Sequence, residues 1–195
     1  MAKKNQLTTS DPLIYSEYLR FLDCLHKDGD YLWEMYARLS FCTACRASDV
    51  LEFKWNDILD KSAIIVTEQK TGKTRRIPFN PSVQQKFNEL YKLLDYPDRK
   101  DYVFRSRGKN TPLTVQRVNQ VLKGLKEKYN LNINHFSTHT FRKTFGRYVY
   151  DTQNHSAESL ILLNKIFKHH SIQITKTYIG ITQEEISSIY DSIQF

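Results

Sequence analysis

The sequence predicts a mainly α-helical chain with one small antiparallel β-sheet, an α+β arrangement in a single domain. Three observations carry this. Apolar residues recur at helical spacing through most of the 195 residues. Residues 62–79 alone turn short and β-branched, around a Lys-Thr-Gly-Lys turn. No internal repeat, low-complexity run or long linker divides the chain.

The elements follow in order. Tyr18, Phe21, Leu22 and Leu25 share a helical face that ends in a Gly-containing turn. Residues 31–53 continue as helix, with Leu32, Met35, Tyr36, Leu39 and Cys42 as the inner positions and a further short helix from Arg46. "SAIIVTEQ" and "TRRIPF" are two strands of a hairpin with Lys70 and Lys73 at its tip. After Pro81 comes an amphipathic helix, then a loop over residues 96–112 with a short central strand and several basic residues. Val115, Val118, Val121, Leu122 and Leu125 stripe the next helix. A helix around His139 and one over 157–170 follow, then a short segment over 171–180, and a last helix covers 182–195. Its Ile186, Ile189, Tyr190 and Ile193 share one face.

Composition narrows the function. The net charge is +8, placed unevenly: residues 1–68 carry 8 Lys/Arg and 11 Asp/Glu, and residues 69–195 carry 21 and 10. A basic half of this kind is the footprint of a polyanion binder. No apolar run reaches membrane-spanning length, and the first residues lack a secretion-signal core, so a cytoplasmic protein with reduced thiols is expected. Cys42 and Cys45 form a CxxC, but within an apolar helical pattern, which reads as buried thiols rather than zinc. "QKTGKT" lacks the spaced first Gly of a phosphate-binding loop, which argues against a nucleotide triphosphatase.

"THTFRKTFGRYVY" places His139 three residues before Arg142, beside Lys143. Ser137 or Thr138 is the candidate N-cap. Phe141, Phe145 and Tyr148 make the apolar stripe, and the spacing predicts that His139, Arg142, Lys143 and Gly146 lie together on another face. Arg46, Lys70, His169 and Tyr178 also interrupt apolar patterns. Singly, each reads as an ordinary surface or helix-end residue.

Jointly and in this order, Arg46, Lys70, His139, Arg142, His169 and Tyr178 resemble the active site of the tyrosine recombinase (phage integrase) family. "TACRASDVLEFKWNDI", "VTEQKTGKTRRIPF", "STHTFRKTFG" and "IFKHHSIQITKTYI" are similar to four family boxes, with His169 and Tyr178 nine residues apart. The match runs from about Asp11 to Ile186. Ala44 and Lys168 stand where Gly is common, and Phe141 where Leu is usual. The resemblance implies the family's catalytic-domain fold over residues 13–195, behind a basic-polar tail of residues 1–12 and without the usual amino-terminal DNA-clamping domain.

It also implies a reaction. Tyr178 would attack a DNA phosphodiester and give a 3′-phosphotyrosyl link, with Arg46 and Arg142 stabilising the charge on phosphorus and no metal or other cofactor. His139 would act as base, Lys70 as acid on the leaving 5′ oxygen, and His169 as a hydrogen-bond donor to a phosphoryl oxygen. Asp49 could orient Arg46 or the His139 helix. Double-stranded DNA and a homo-tetramer on it are the implied partners, with no membrane and no small-molecule substrate, and the site of action is the bacterial nucleoid. Two rivals remain at this point: strand relaxation of the type IB topoisomerase kind, where Lys is usual in place of His139, and a non-catalytic DNA-binding relative.

Overall fold

The structure, a computed structural model, describes residues 10–70 and 72–181. The helix expected over 182–195 lies outside them. Helix α1 (Tyr15–Lys27) buries Tyr18, Phe21, Leu22 and Leu25, the four residues of its predicted stripe. Helix α2 (Tyr31–Thr43) crosses it and buries Met35, Tyr36 and Leu39. The expected longer helix is interrupted here. Ala44 adopts a left-handed conformation, φ 48°, and its N–H returns to the Phe41 carbonyl. Cys42 therefore closes α2 while Cys45 lies in the connector, outside any helix. Two short helices follow, α3 (Ala47–Leu51) and α4 (Trp55–Ile58).

The hairpin forms as expected from β1 (Ala63–Thr67) and β2 (Thr74–Pro78), antiparallel, with Val66 opposite Arg75 and Thr67 opposite Thr74. Asn80 caps α5 (Pro81–Leu93) by accepting from the Val83 amide at 2.9 Å, and Pro81 opens the helix where its missing N–H costs nothing. The loop that follows forms no strand, contrary to expectation. It makes two single bridges, Lys54 with Tyr102 and Arg105 with Pro112. Val103 and Phe104 are buried all the same. The β-like apolar pair reports burial, and no partner strand runs beside it.

Thr114, Ser156 and Ser171 cap α6 (Val115–Lys128), α8 (Ala157–Phe167) and α9 (Ile172–Tyr178) through their hydroxyls. Helix α8 stops at Phe167 because Lys168 turns left-handed, φ 54°, so His169 and His170 lie beyond the helix rather than in it. Helix α7 (Thr140–Thr152) starts later than the candidate caps imply. His139 holds the N-cap position, and the Ser137 hydroxyl accepts the His139 amide at 3.3 Å.

Two apolar clusters organise these elements. The larger gathers α1 to α6, both strands and Phe141 of α7. The smaller gathers Ala44, Leu160, Leu163, Phe167, Tyr178 and Ile179, with Phe145 and Val149 of α7 against it. Helix α7 thus lies along the seam, which changes the reading of its polar face. Arg142 and Lys143 are buried, 3% and 5% exposed, because α8, α9 and the chain before α1 cover them. The helical spacing located the face but not what packs on it.

Gly146 permits this approach. A Cβ there would stand 2.6 Å from Ile179 Cγ2 and 2.8 Å from the Phe167 ring. Gly146→Ala should push α8 and α9 off α7 and cost about 1–3 kcal/mol, the usual penalty of overpacking. The urea-unfolding midpoint of the variant checks this. A midpoint at or above that of the parent would show that the seam has slack.

Candidate active site

Arg46 is the residue before α3, in extended backbone, φ −69° and ψ 153°. Its Nη1 donates to Glu68 Oε2 at 2.7 Å, and its side chain keeps 20% of its surface exposed. Arg142 approaches from α7. Its Nη1 donates to the Ala44 carbonyl at 2.7 Å and its Nη2 to the Phe167 carbonyl at 3.1 Å. The guanidinium also lies 4.8 Å from the Phe167 ring centroid. Burial works against its charge, yet an arginine fixed by two carbonyls stays cationic and holds one orientation.

Tyr178 ends α9 with 7% of its surface exposed. Its hydroxyl is buried and lies against the Arg142 guanidinium, without a well-aligned hydrogen bond among the described residues. Burial raises its pKa, and Arg142 and then Arg46 oppose that rise. The His169 ring lies 4.9 Å from the Tyr178 ring, centroid to centroid, whereas His170 is exposed. His169 Nδ1 is 3.0 Å from the Thr175 hydroxyl, which also accepts from Asn164 Nδ2 at 3.1 Å. With Asn164 donating, the Thr175 proton is free to go to Nδ1, an arrangement compatible with a neutral ring that carries its hydrogen on Nε2.

His139 is half-buried at the start of α7, and its pKa is pushed down to about 4 by burial, then by Arg142, Lys143, Arg46 and Lys70. Burial and the same arginines push His169 down to about 4. Both rings are therefore neutral near pH 7. Lys70 is exposed at the hairpin end, yet near enough for its charge to act on His139. All six residues singled out in the sequence thus share one electrostatic environment. Arg142 and Tyr178 are its buried members, His169, His139 and Arg46 are half-buried, and Lys70 is exposed. Among the described residues no His/Cys/Asp/Glu group could hold a metal ion.

The chain resembles known proteins. The model of the family described as "Phage integrase family" matches residues 13–185. The chain belongs to the phage integrase family. The Bacillus subtilis (strain 168) member named "Probable integrase/recombinase YoeC" is 31% identical over 148 residues, 76% of this chain and 77% of that protein. The solved XerA recombinase superposes with a TM-score of 0.71 at 18% identity, over 98% of this chain and 68% of that one. The XerH site-specific recombinase, bound to palindromic difH substrate in a post-cleavage complex, gives 0.68 at 18% identity, over 95% and 54%. At these identities the two structures speak for the fold, which is that of integrase catalytic domains. Site-specific DNA recombination is the function class of the chain.

Within this integrase domain the structure adds residues the sequence reading passed over. Glu68 is 1% exposed and faces Arg46, Arg75 and Lys168. Arg75 donates to the carbonyls of Ile166, Thr43 and Ala44 at 3.1, 3.1 and 3.3 Å. Strand alternation was the available signal, since Glu68 continues the inward row Ile64, Val66 and Arg75 shares the face of Ile77. Lys143 donates to the Ser10 carbonyl and lies 5.0 Å from the Tyr178 ring centroid. Among the described residues Asp49 makes no side-chain hydrogen bond to Arg46 or to α7. Its Oδ1 accepts from the Gln69 amide at 3.0 Å and so anchors the hairpin one residue before Lys70.

The histidines make stability depend on pH. Their folded pKa values near 4 lie below the ordinary ~6.5, so the unfolded chain binds more protons between those limits. Stability is then full above ~pH 6.5 and falls as pH drops toward 4. Urea midpoints at pH 7 and pH 5 should differ more in the parent than in a His139→Asn, His169→Asn double variant. An equal loss in both would assign the acid sensitivity to other groups.

Proposed function

We propose that this chain cuts and rejoins duplex DNA through attack of the Tyr178 hydroxyl on a phosphodiester. The O–P bond to Tyr178 forms as the bond to the 5′ oxygen breaks, which leaves a 3′-phosphotyrosyl link and a free 5′ hydroxyl. One observation carries this reading. The Tyr178 hydroxyl is buried against the Arg142 guanidinium, within reach of the charge of Arg46, and no other group among the described residues bonds it. A hydroxyl so placed is costly to bury unless something else completes its bonding. A phosphate oxyanion fits this cationic surround.

Each residue then has a task. Arg142 is pre-set by its two carbonyls and presents its remaining N–H groups to the non-bridging oxygens. Arg46, tied through one nitrogen, does the same from the side. His139 is neutral and accepts the Tyr178 proton. His169, with its hydrogen on Nε2, donates to a phosphoryl oxygen. Lys70, at the exposed hairpin end, gives a proton to the departing 5′ oxygen. The energy of the broken bond stays in the phosphotyrosyl link, so a 5′ hydroxyl from another strand can reverse the step and exchange strands. In this reading residues 13–195 are the catalytic unit, the working form on DNA is a homo-tetramer, and the basic half of the chain follows the phosphate backbone. Its family membership and the DNA-bound state of XerH support that reading.

A covalent-adduct gel assay separates the nucleophile from the acid. Tyr178→Phe should abolish the adduct and leave DNA binding nearly intact. Lys70→Ala should slow cleavage by about 10²- to 10⁴-fold, the usual contribution of a positioned general acid. Sulfur in place of the bridging 5′ oxygen should rescue Lys70→Ala and not Tyr178→Phe, because a thiol of pKa ~8.5 leaves as its anion. Adduct formation by Tyr178→Phe would remove Tyr178 from the reaction. Failure of sulfur to rescue Lys70→Ala, with binding retained, would remove Lys70 from the acid role.

A further inference from the structure

Glu68 is a carboxylate placed where a phosphate-binding site should tolerate none. The inward row of β1 continues from Ile64 and Val66 to Glu68, which leaves it 1% exposed. A buried carboxylate survives only with partners. Its Oε2 accepts from Arg46 Nη1 at 2.7 Å. Its Oε1 lies 3.4 Å from Lys168 Nζ and 3.6 Å from Arg75 Nε. These three cations come from three places: the turn into α3, the C-cap of α8 and strand β2. Lys168 Nζ also reaches the Lys73 carbonyl on the hairpin at 3.4 Å.

The consequence is mechanical as well as electrostatic. Lys70 follows Glu68 by two residues, and His169 follows Lys168 directly. Whatever fixes Glu68 therefore fixes the root of the Lys70 turn, the Arg46 fork and the entry to His169 together. We propose that Glu68 is a positioning residue of the integrase reaction, coupling the hairpin that carries Lys70 to Arg46 and to the His169 turn. It touches no reacting atom. By engaging one Arg46 nitrogen it directs the others toward the phosphate, and its charge offsets the crowded cations before DNA arrives.

The proposal rests on the phosphotyrosyl reading above, and the test keeps the two apart. The rate of adduct formation at saturating DNA is measured for the parent, Glu68→Ala and Glu68→Gln, with ordinary and bridging-sulfur substrates. Glu68→Ala should lose about 10- to 100-fold on ordinary DNA, the usual cost of removing an orienting partner, while DNA affinity is kept. Glu68→Gln keeps the shape and one acceptor oxygen, and should fall between. Sulfur should raise the rate of Glu68→Ala more than that of the parent, because part of its defect is a misplaced Lys70. The rescue should stay incomplete, because Arg46 is misplaced as well. A merely unstable variant loses both substrates equally and keeps the sulfur-to-oxygen ratio of the parent; that ratio, or a parent-like rate on ordinary DNA, overturns the proposal. If Glu68→Ala does not fold, Glu68→Gln carries the same ratio test. Absence of adduct in the parent with either substrate would instead overturn the reaction itself.

Discussion

The site depends on one buried contact, the Arg142 guanidinium held between the carbonyls of Ala44 and Phe167. Both carbonyls stand at helix ends. Ala44 is the C-cap of α2, and Phe167 is the last residue of α8. The last carbonyls of a helix have no partner within it and carry the negative end of its dipole. Two left-handed residues, Ala44 and Lys168, stop these helices beside one another. The resulting pocket of unpaired carbonyls demands cations, and Arg142 and Arg75 both fill it. Arg75 reaches Thr43, Ala44 and Ile166, the same two helix ends. What makes a buried arginine affordable here is therefore backbone, not a carboxylate, and the forks keep N–H groups to spare for an anion.

That solution sets the protonation of everything nearby. Cations fixed by carbonyls stay charged, so the ionisable neighbours adjust to them. His139 and His169 lose their protons, and Tyr178, caught between burial and two arginines, keeps its own. A bound phosphate would reverse part of this field, since its negative charge favours protonated histidines and gives the tyrosine hydroxyl a partner. The free site thus rests with neutral His139 and His169, a protonated Tyr178 and guanidiniums that keep N–H groups to spare, the state from which the proposed reaction would start.

Much of this was legible in the sequence. The stripe Tyr18, Phe21, Leu22, Leu25, the hairpin about Lys-Thr-Gly-Lys and the four ordered boxes placed the core and the sheet, and singled out six residues that the fold gathers in one electrostatic environment. The parts that escaped share a cause. Periodicity reports which face a residue occupies, not which element later covers it. So Arg142 and Lys143 were expected on an outer face and are buried under α8, α9 and the chain before α1. The end of α2 was hidden because its apolar pattern runs on through Ala44 and Cys45, and a left-handed alanine carries no composition signal of the kind glycine would. Val103 and Phe104 suggested a strand because a buried apolar pair looks alike in a strand or a packed loop. Glu68 and Arg75 could have been found, since strand alternation puts both inward, but a charged residue in a basic hairpin is ordinarily solvated.

The exposure of the six residues has its own order, and the proposed duplex substrate would account for it. Arg142 and Tyr178 are nearly enclosed, at 3% and 7%, Arg46 keeps a fifth of its side chain open, and Lys70 is exposed at the hairpin end. A small ligand can be engulfed, but a duplex can only be laid against a surface. On the proposed reaction, the groups that would bind the phosphate's inner oxygens can therefore be buried, while Lys70, which would meet the leaving strand, stands outside. A residue so placed has little packing of its own to position it. Its placement must come from the base of the hairpin, where Asp49 holds the Gln69 amide and Glu68 gathers its three cations. The buried part of the site and the exposed Lys70 are thus joined through two buried carboxylates, Asp49 and Glu68.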